Sequence, residues 1–181
     1  AVEYFQELKH KLETNTVLPW IAPEVFFKDP QKQSKRWLQD RIHIKRSKEK
    51  EDKVPSMMVT GTDASVTGFH FDFVILDDLI FQENIGTPEM REKTFTYIRN
   101  CIALLRPGGK ILIVGTRWHW EDAYTKYIEM PGIKSMVLSC YDEKGEPIFP
   151  KSVSGRAGFT KKELKQWRTH MGESVFSAQM L

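Results

Sequence analysis

Two adjacent carboxylates, Asp77 and Asp78, come directly after the apolar run at 73–76, Phe-Val-Ile-Leu. A buried strand that ends in two acids can bind a hydrated Mg²⁺ and polarise a neighbouring water. The pattern matches the Walker B motif, with Asp77 in the magnesium shell and Asp78 where most such sites have a glutamate base. The alternative is a strand end capped by solvated aspartates at a turn, and this segment alone leaves both interpretations open.

A second polar cluster, Gly115-Thr116-Arg117, follows the apolar run at 111–114. Between the two runs, Thr87 and Pro88 are typical of a helix start, and apolar residues recur at helical spacing up to 105. Residues 72–116 therefore predict a strand–helix–strand unit with parallel strands. Because the carboxyl ends of parallel strands meet at one sheet edge, the two polar clusters should converge there.

The elements that position these clusters predict an α/β fold with a central, mainly parallel sheet flanked by helices. Strands are expected at 73–77, 110–115 and 134–139 in one sheet, and continuous apolar runs favour a sheet covered on both faces. Further helices are predicted at 1–13, 121–129 and 173–181. Thr160 and Glu163 have the spacing of a capping box at the start of another.

Composition favours a soluble globular chain with a real core. The 181 residues are 40% hydrophobic and 28% charged, and the net charge of +3 permits a polyanion partner without requiring one. No run is apolar and long enough to cross a membrane. Cys101 and Cys140 form no disulfide framework, which favours a reducing compartment. Neither end shows a helix cap, so we expect an internal piece of a longer protein.

Two stretches bring these observations together. Residues 67–79 read Thr-Gly-Phe-His-Phe-Asp-Phe-Val-Ile-Leu-Asp-Asp-Leu, and residues 107–119 read Pro-Gly-Gly-Lys-Ile-Leu-Ile-Val-Gly-Thr-Arg-Trp-His, followed by Glu121-Asp122. With these stretches, and with 147–150 and 176–179, the sequence resembles the ATPase domain of the large terminase subunit of tailed double-stranded DNA phages. The resemblance covers most of the chain.

The resemblance implies a P-loop NTPase-like fold and a motor that couples ATP hydrolysis, with Mg²⁺, to translocation of double-stranded DNA into a procapsid. The implied partners are the DNA, a portal protein and a small terminase subunit, and the implied assembly is a homo-oligomeric ring in the cytoplasm of a bacterial host. A separate nuclease domain follows in this family. Residues 1–150 would be the C-terminal part of the ATPase core, and residues 151–181 a linker and helices leading towards that domain.

By position, the resemblance implies that Asp77 is the Mg²⁺-associated aspartate and that Asp78 activates the attacking water. Gly115 and Thr116 would form the motif that senses the γ-phosphate and relays hydrolysis to movement. Arg117 would contact phosphate or support the site through an ion pair with Asp77 or Asp78.

Two departures from the family pattern matter. The phosphate loop GxxxxGK[ST] is absent from the sequence. We therefore expect this loop upstream, and we expect the 181-residue piece alone to be inactive as an ATPase. Asp78 also stands where glutamate is usual, so the attacking water must lie closer to the strand.

Three other functions stay open at this stage. A helicase-like DNA translocase shares the acidic strand but lacks the Arg-Trp-His extension. A metal-dependent nuclease would use Asp72 with Asp77 and Asp78, but Asp72 lies at the far end of the same strand. A non-catalytic nucleic-acid-binding module would need a clustered basic stripe, which the sequence does not show.

Overall fold

The computed structural model describes residues 2–45, 54–62, 68–149 and 158–181. The predicted linker at 151–158 lies outside the described residues except at its last position, as do Thr67 and Pro150 of the stretches quoted above. The chain divides into two compact units, Ala1–Val74 with Ile102–Ile111, and Ile75–Cys101 with Leu112–Leu181. Strands of the parallel sheet contribute residues to both.

The first unit is built mainly from short elements near the N-terminus. Helices α1 (Val2–Thr14), α2 (Leu18–Ile21) and α3 (Pro30–Gln33) precede strands β1 (Arg41–Ile42) and β2 (Met57–Met58), which pair antiparallel. The α1 helix agrees with the sequence prediction. Its buried Phe5 and Leu12 form a core with the fully buried Ile42, because α1 presents an apolar stripe at helical spacing.

The parallel sheet consists of β3 (Phe71–Asp77) and β4 (Leu105–Val114). Two hydrogen bonds connect the strands at their ends. Phe71 N–H donates to the Leu104 carbonyl at 2.8 Å, and Asp78 N–H donates to the Val114 carbonyl at 2.9 Å, so both strands run in the same direction. The predicted parallel pairing is therefore confirmed, within a mixed α/β fold. Helix α4 (Pro88–Ile102) makes the crossover between the two strands.

The prediction that both faces of this sheet are covered is wrong for the described residues. Leu76 of β3 is buried, but the alternate positions Phe73 and Ile75 are about half exposed, as are Leu112 and Val114 of β4. Successive strand residues point to opposite faces, so one apolar face of this two-stranded sheet is open to solvent.

The predicted third strand at 134–139 is also wrong. These residues form no strand, and Met136, Val137 and Leu138 are 81%, 56% and 58% exposed. An apolar run becomes a strand only where the edge of another strand accepts its backbone hydrogen bonds. Further along the chain, the backbone N–H of Cys140 donates to the Met180 carbonyl at 2.6 Å.

The helices of the second unit follow the sequence closely. Thr87 precedes α4, and its hydroxyl accepts a hydrogen bond from Met90 N–H at 3.3 Å. Helix α4 ends at Ile102 rather than at 105, because β4 already begins at Leu105. Helices α5 (Ala123–Ile128), α6 (Lys161–Met171) and α7 (Glu173–Met180) follow. None of the helices in the described ranges has both the length and the apolar character to cross a membrane.

The predicted capping box is present at the start of α6. Glu163 N–H donates to the Thr160 hydroxyl at 3.2 Å, and Thr160 N–H donates to the Glu163 carboxylate at 2.7 Å. Helices α6 and α7 then enclose a small core in which Leu164 and Phe176 are fully buried beside Cys140. Cys101 is likewise buried in α4, and burial raises the pKa of its thiol, which agrees with a core role.

Candidate active site

Strand β3 ends in a sharp change of backbone direction at the two predicted acids. Asp77 is the last strand residue, and Asp78 follows with a φ of 49°. Among the described residues, Asp78 is the one non-glycine residue in the left-handed region. Aspartate tolerates this conformation better than most residues, at a cost on the order of 1 kcal/mol. Both carboxylates are exposed at this turn and accessible to a ligand.

The end of β4 lies beside this turn. Asp78 N–H donates to the carbonyl of Val114, the last residue of β4, at 2.9 Å. Gly115 and Thr116 follow immediately, so they leave the sheet at the same edge as Asp78. The backbone pairing thus brings together the two strand ends that carry the predicted acids and the predicted phosphate sensor.

The hydroxyl of Tyr124 connects the two strand ends. It accepts a hydrogen bond from Leu79 N–H at 3.0 Å and donates a long one to the Val114 carbonyl at 3.5 Å. Burial is the main cause that raises the pKa of Tyr124, and the charges of Asp78 and Asp122 act in the same direction. The phenol therefore stays protonated near neutral pH and keeps its ability to donate.

Gly115 allows this tyrosine to approach. A Cβ atom at position 115 would lie 2.2 Å from Tyr124 Oη and 2.6 Å from two carbons of its ring. Both distances are far below van der Waals contact. Any larger residue at position 115 would therefore force the Tyr124 ring or the end of β4 to move.

Asp122 organises the loop between β4 and α5. Its side chain is fully buried, and one oxygen accepts the N–H groups of Trp118 and His119 at 3.0 and 3.3 Å. The other oxygen accepts Thr125 N–H at 3.0 Å and the Thr125 hydroxyl at 3.3 Å. Asp122 is thus both the N-cap of α5 and the anchor of the residues that follow Arg117.

Arg117 has an unused donor in this loop. Its Nε is buried and has no hydrogen-bond partner among the described residues. The predicted ion pair with Asp77 or Asp78 is not found in the part of the chain that the structure describes. A buried donor without an acceptor costs about 1–3 kcal/mol, and an anionic ligand would remove that cost.

The rest of the loop is fixed to neighbouring helices. His119 Nδ1 accepts Glu121 N–H at 3.0 Å, and its ring stacks on Trp120, so this histidine stabilises the loop. Arg91 of α4 forms an ion pair with Glu121 at 2.9 Å and also donates to the Ile85 carbonyl at 2.8 Å. These contacts hold the start of α5 against α4.

The described residues contain no group of three or more His, Cys, Asp or Glu side chains arranged to hold a metal ion. Magnesium sites in phosphoryl-transfer proteins need fewer protein ligands, because waters and substrate phosphates complete the octahedron around one or two carboxylates. The exposed pair Asp77 and Asp78 fits that second kind of site. It does not fit an all-protein cage.

Asp72 is separated from the other acids. It lies near the start of β3, and its carboxylate pairs with Arg106 at 3.4 Å. Asp77 lies at the opposite end of the same strand. A two-metal nuclease site built from Asp72, Asp77 and Asp78 is therefore not assembled in this structure.

The sequence pattern assigns no role to Asp122 or Tyr124, the two residues that connect the loop and the strand ends, although Asp122 belongs to the stretches quoted above. Asp122 had a usable signal, because aspartate is one of the residues preferred at the N-cap of a helix. Tyr124 had none, since only the structure shows that its hydroxyl forms hydrogen bonds to Leu79 and Val114.

No protein-family model matches this chain, and no curated protein matches it.

Proposed function

We propose that this chain is part of the ATPase motor of a phage DNA-packaging terminase, in which ATP hydrolysis drives double-stranded DNA into a procapsid. One observation carries the proposal. The parallel pair β3–β4 brings the Asp77–Asp78 turn and the Gly115-Thr116-Arg117 segment to one sheet edge, where Arg117 has a buried donor without a partner in the described chain.

The geometry supports a distinct role for each side chain. Asp77, at the last strand position, would bind Mg²⁺ through its exposed carboxylate, and the ion would neutralise charge on the phosphates. Asp78, turned out of the strand by its left-handed backbone, would accept a proton from the attacking water. Thr116 would donate to the terminal phosphate, and Arg117 would stabilise developing negative charge.

The proposal also requires a phosphate-binding loop that the 181 residues do not contain. Backbone N–H groups and a lysine in such a loop provide most of the phosphate binding in P-loop enzymes. Without them, Asp77 and Asp78 would repel a free triphosphate. We therefore expect the complete protein to supply the loop, and the isolated 181-residue chain to release no phosphate from ATP.

The test is phosphate release by the complete protein and its Asp78→Asn variant. Loss of the general base should lower kcat by roughly 100-fold or more. Asp72→Asn is the matched control, because it makes the same change on the same strand but at the end remote from the site. We expect the control to stay close to the parent rate. A complete protein whose rate is unaffected by Asp78→Asn would contradict the role of Asp78.

A further inference from the structure

The Tyr124 hydroxyl lies beside the backbone of both strand ends of the site. Asp78 is in the left-handed region, and the next amide, Leu79 N–H, donates to Tyr124 Oη at 3.0 Å. On the other strand, the Val114 carbonyl accepts from both Asp78 N–H and the Tyr124 hydroxyl. One side chain thus contacts the backbone immediately after the predicted base and immediately before Gly115.

Helix α5 fixes the position of that side chain. Tyr124 is the second residue of α5, and Asp122 caps the helix while binding the backbone of Trp118 and His119. The ring of Tyr124 is buried against Gly115, where a Cβ atom would collide with it. The hydroxyl therefore lies between the two strand ends and forms a hydrogen bond to each.

We propose that Tyr124 is the positioning residue of this site: its hydroxyl maintains the left-handed turn at Asp78 and keeps that turn in register with the Gly115-Thr116 segment. The catalytic consequence rests on the proposed function. The hydrogen bonds of the Tyr124 hydroxyl go to backbone groups, Leu79 N–H and the Val114 carbonyl, so it acts on catalysis by positioning the residues beside them. It should affect the rate of the chemical step more than nucleotide binding.

The chain provides a matched control on the same helix. Tyr127 lies three residues after Tyr124, is equally buried, and packs its ring against Phe95 at a centroid distance of 5.1 Å. Its hydroxyl has no hydrogen-bond partner among the described residues. Tyr124→Phe and Tyr127→Phe remove the same atom from the same helix, but only the first removes hydrogen bonds to the strand ends.

The first measurement is steady-state ATP hydrolysis by the complete protein. Tyr124→Phe should lower kcat by about fivefold or more, with KM for ATP changed by less than about twofold. Tyr127→Phe should leave both constants unchanged. An unchanged kcat in an active Tyr124→Phe protein would overturn the positioning role.

The second measurement does not depend on turnover. Amide hydrogen exchange at Leu79, followed by NMR, should become about fivefold faster or more in Tyr124→Phe and should not change in Tyr127→Phe. Unchanged exchange at Leu79 would show that the hydroxyl does not hold this turn and would overturn the inference at its structural base.

The two proposals fail in different ways. A complete protein without any Asp78-dependent hydrolysis overturns the proposed function, and the catalytic part of this inference with it, whatever the exchange data show. Asp78-dependent hydrolysis combined with a normal kcat in Tyr124→Phe leaves the proposed function intact and overturns only the role of Tyr124.

Discussion

Two segments of the same compact unit, residues 115–128 and residues 134–138, differ in what fixes them. The first is polar and rich in specific contacts, with Asp122 accepting four hydrogen bonds and Tyr124 linking two strand ends. The second is the more apolar at its centre, yet Met136, Val137 and Leu138 stay exposed. Apolar character alone therefore does not determine which segment is fixed, because a backbone must also find partners for its polar groups.

The candidate site combines exposed acids with buried supporting residues. Its acids are exposed, and they are placed by buried groups behind them rather than by their own contacts. A site of this kind leaves its reactive side chains free for a ligand while the supporting backbone stays fixed. Changes to the supporting residues should thus cost stability, whereas changes in residues 134–138 should not.

The largest effect is expected for Gly115→Ala. The new methyl group would lie 2.2 Å from Tyr124 Oη, so either the ring or the end of β4 must move. Overpacking of this kind should lower the free energy of unfolding by about 3 kcal/mol, measured by urea denaturation.

Gly86→Ala is the control for this change. Position 86 is in the same unit, and the nearest atom to an added Cβ, the sulfur of Met90, is 4.0 Å away. The free energy of unfolding of Gly86→Ala should differ from that of the parent by less than about 0.5 kcal/mol. Equal effects at positions 115 and 86 would show that Tyr124 does not pack against Gly115 as described.

A smaller effect is expected for Asp122→Asn. Both carboxylate oxygens of Asp122 accept hydrogen bonds from N–H or O–H donors, so the amide group of asparagine must face a donor on one side. One buried donor would lose its acceptor, and the free energy of unfolding should fall by about 2 kcal/mol.

Asp142→Asn makes the same substitution where it should be harmless. Asp142 is exposed, and the hydrogen bonds that its side chain accepts from Lys144 N–H and Glu146 N–H, at 2.8 Å each, reach a single oxygen. The asparagine carbonyl can replace that oxygen. If urea denaturation gives Asp122→Asn the same free energy of unfolding as the parent, the loop after Arg117 does not depend on this carboxylate.

The sequence was sufficient for the elements with local signals. The capping box at Thr160 and Glu163, the helix start after Thr87 and the parallel pairing of β3 with β4 all follow from residue type and spacing. These features depend on contacts between near neighbours or on the strand–helix–strand order of the chain, and both can be read along the sequence.

The remaining features depend on contacts that residue spacing does not encode. The apolar run at 134–139 has the composition of a strand, but no strand of the described residues pairs with it, and one face of β3 is exposed there despite its apolar sequence. Likewise, the sequence allows Arg117 either to contact phosphate or to pair with Asp77 or Asp78, and in the described residues its Nε has no partner. The position of Tyr124 depends on its hydrogen bonds to Leu79 and Val114 and on its packing against Gly115, which its place in the sequence does not indicate.

The smallest effect is expected for Leu138→Ala, which compares the two apolar runs directly. Leu138 is 58% exposed, so removing its side chain deletes little buried surface and should change the free energy of unfolding by less than about 0.5 kcal/mol. Leu76→Ala, in the run that does form a strand, removes a side chain that is only 6% exposed and should cost about 3 kcal/mol. Urea denaturation of both variants measures the contrast. If Leu138→Ala lowers the free energy of unfolding as much as Leu76→Ala does, residues 134–138 pack in solution as the apolar sequence predicts. The difference between residues 134–138 and the strand would then disappear.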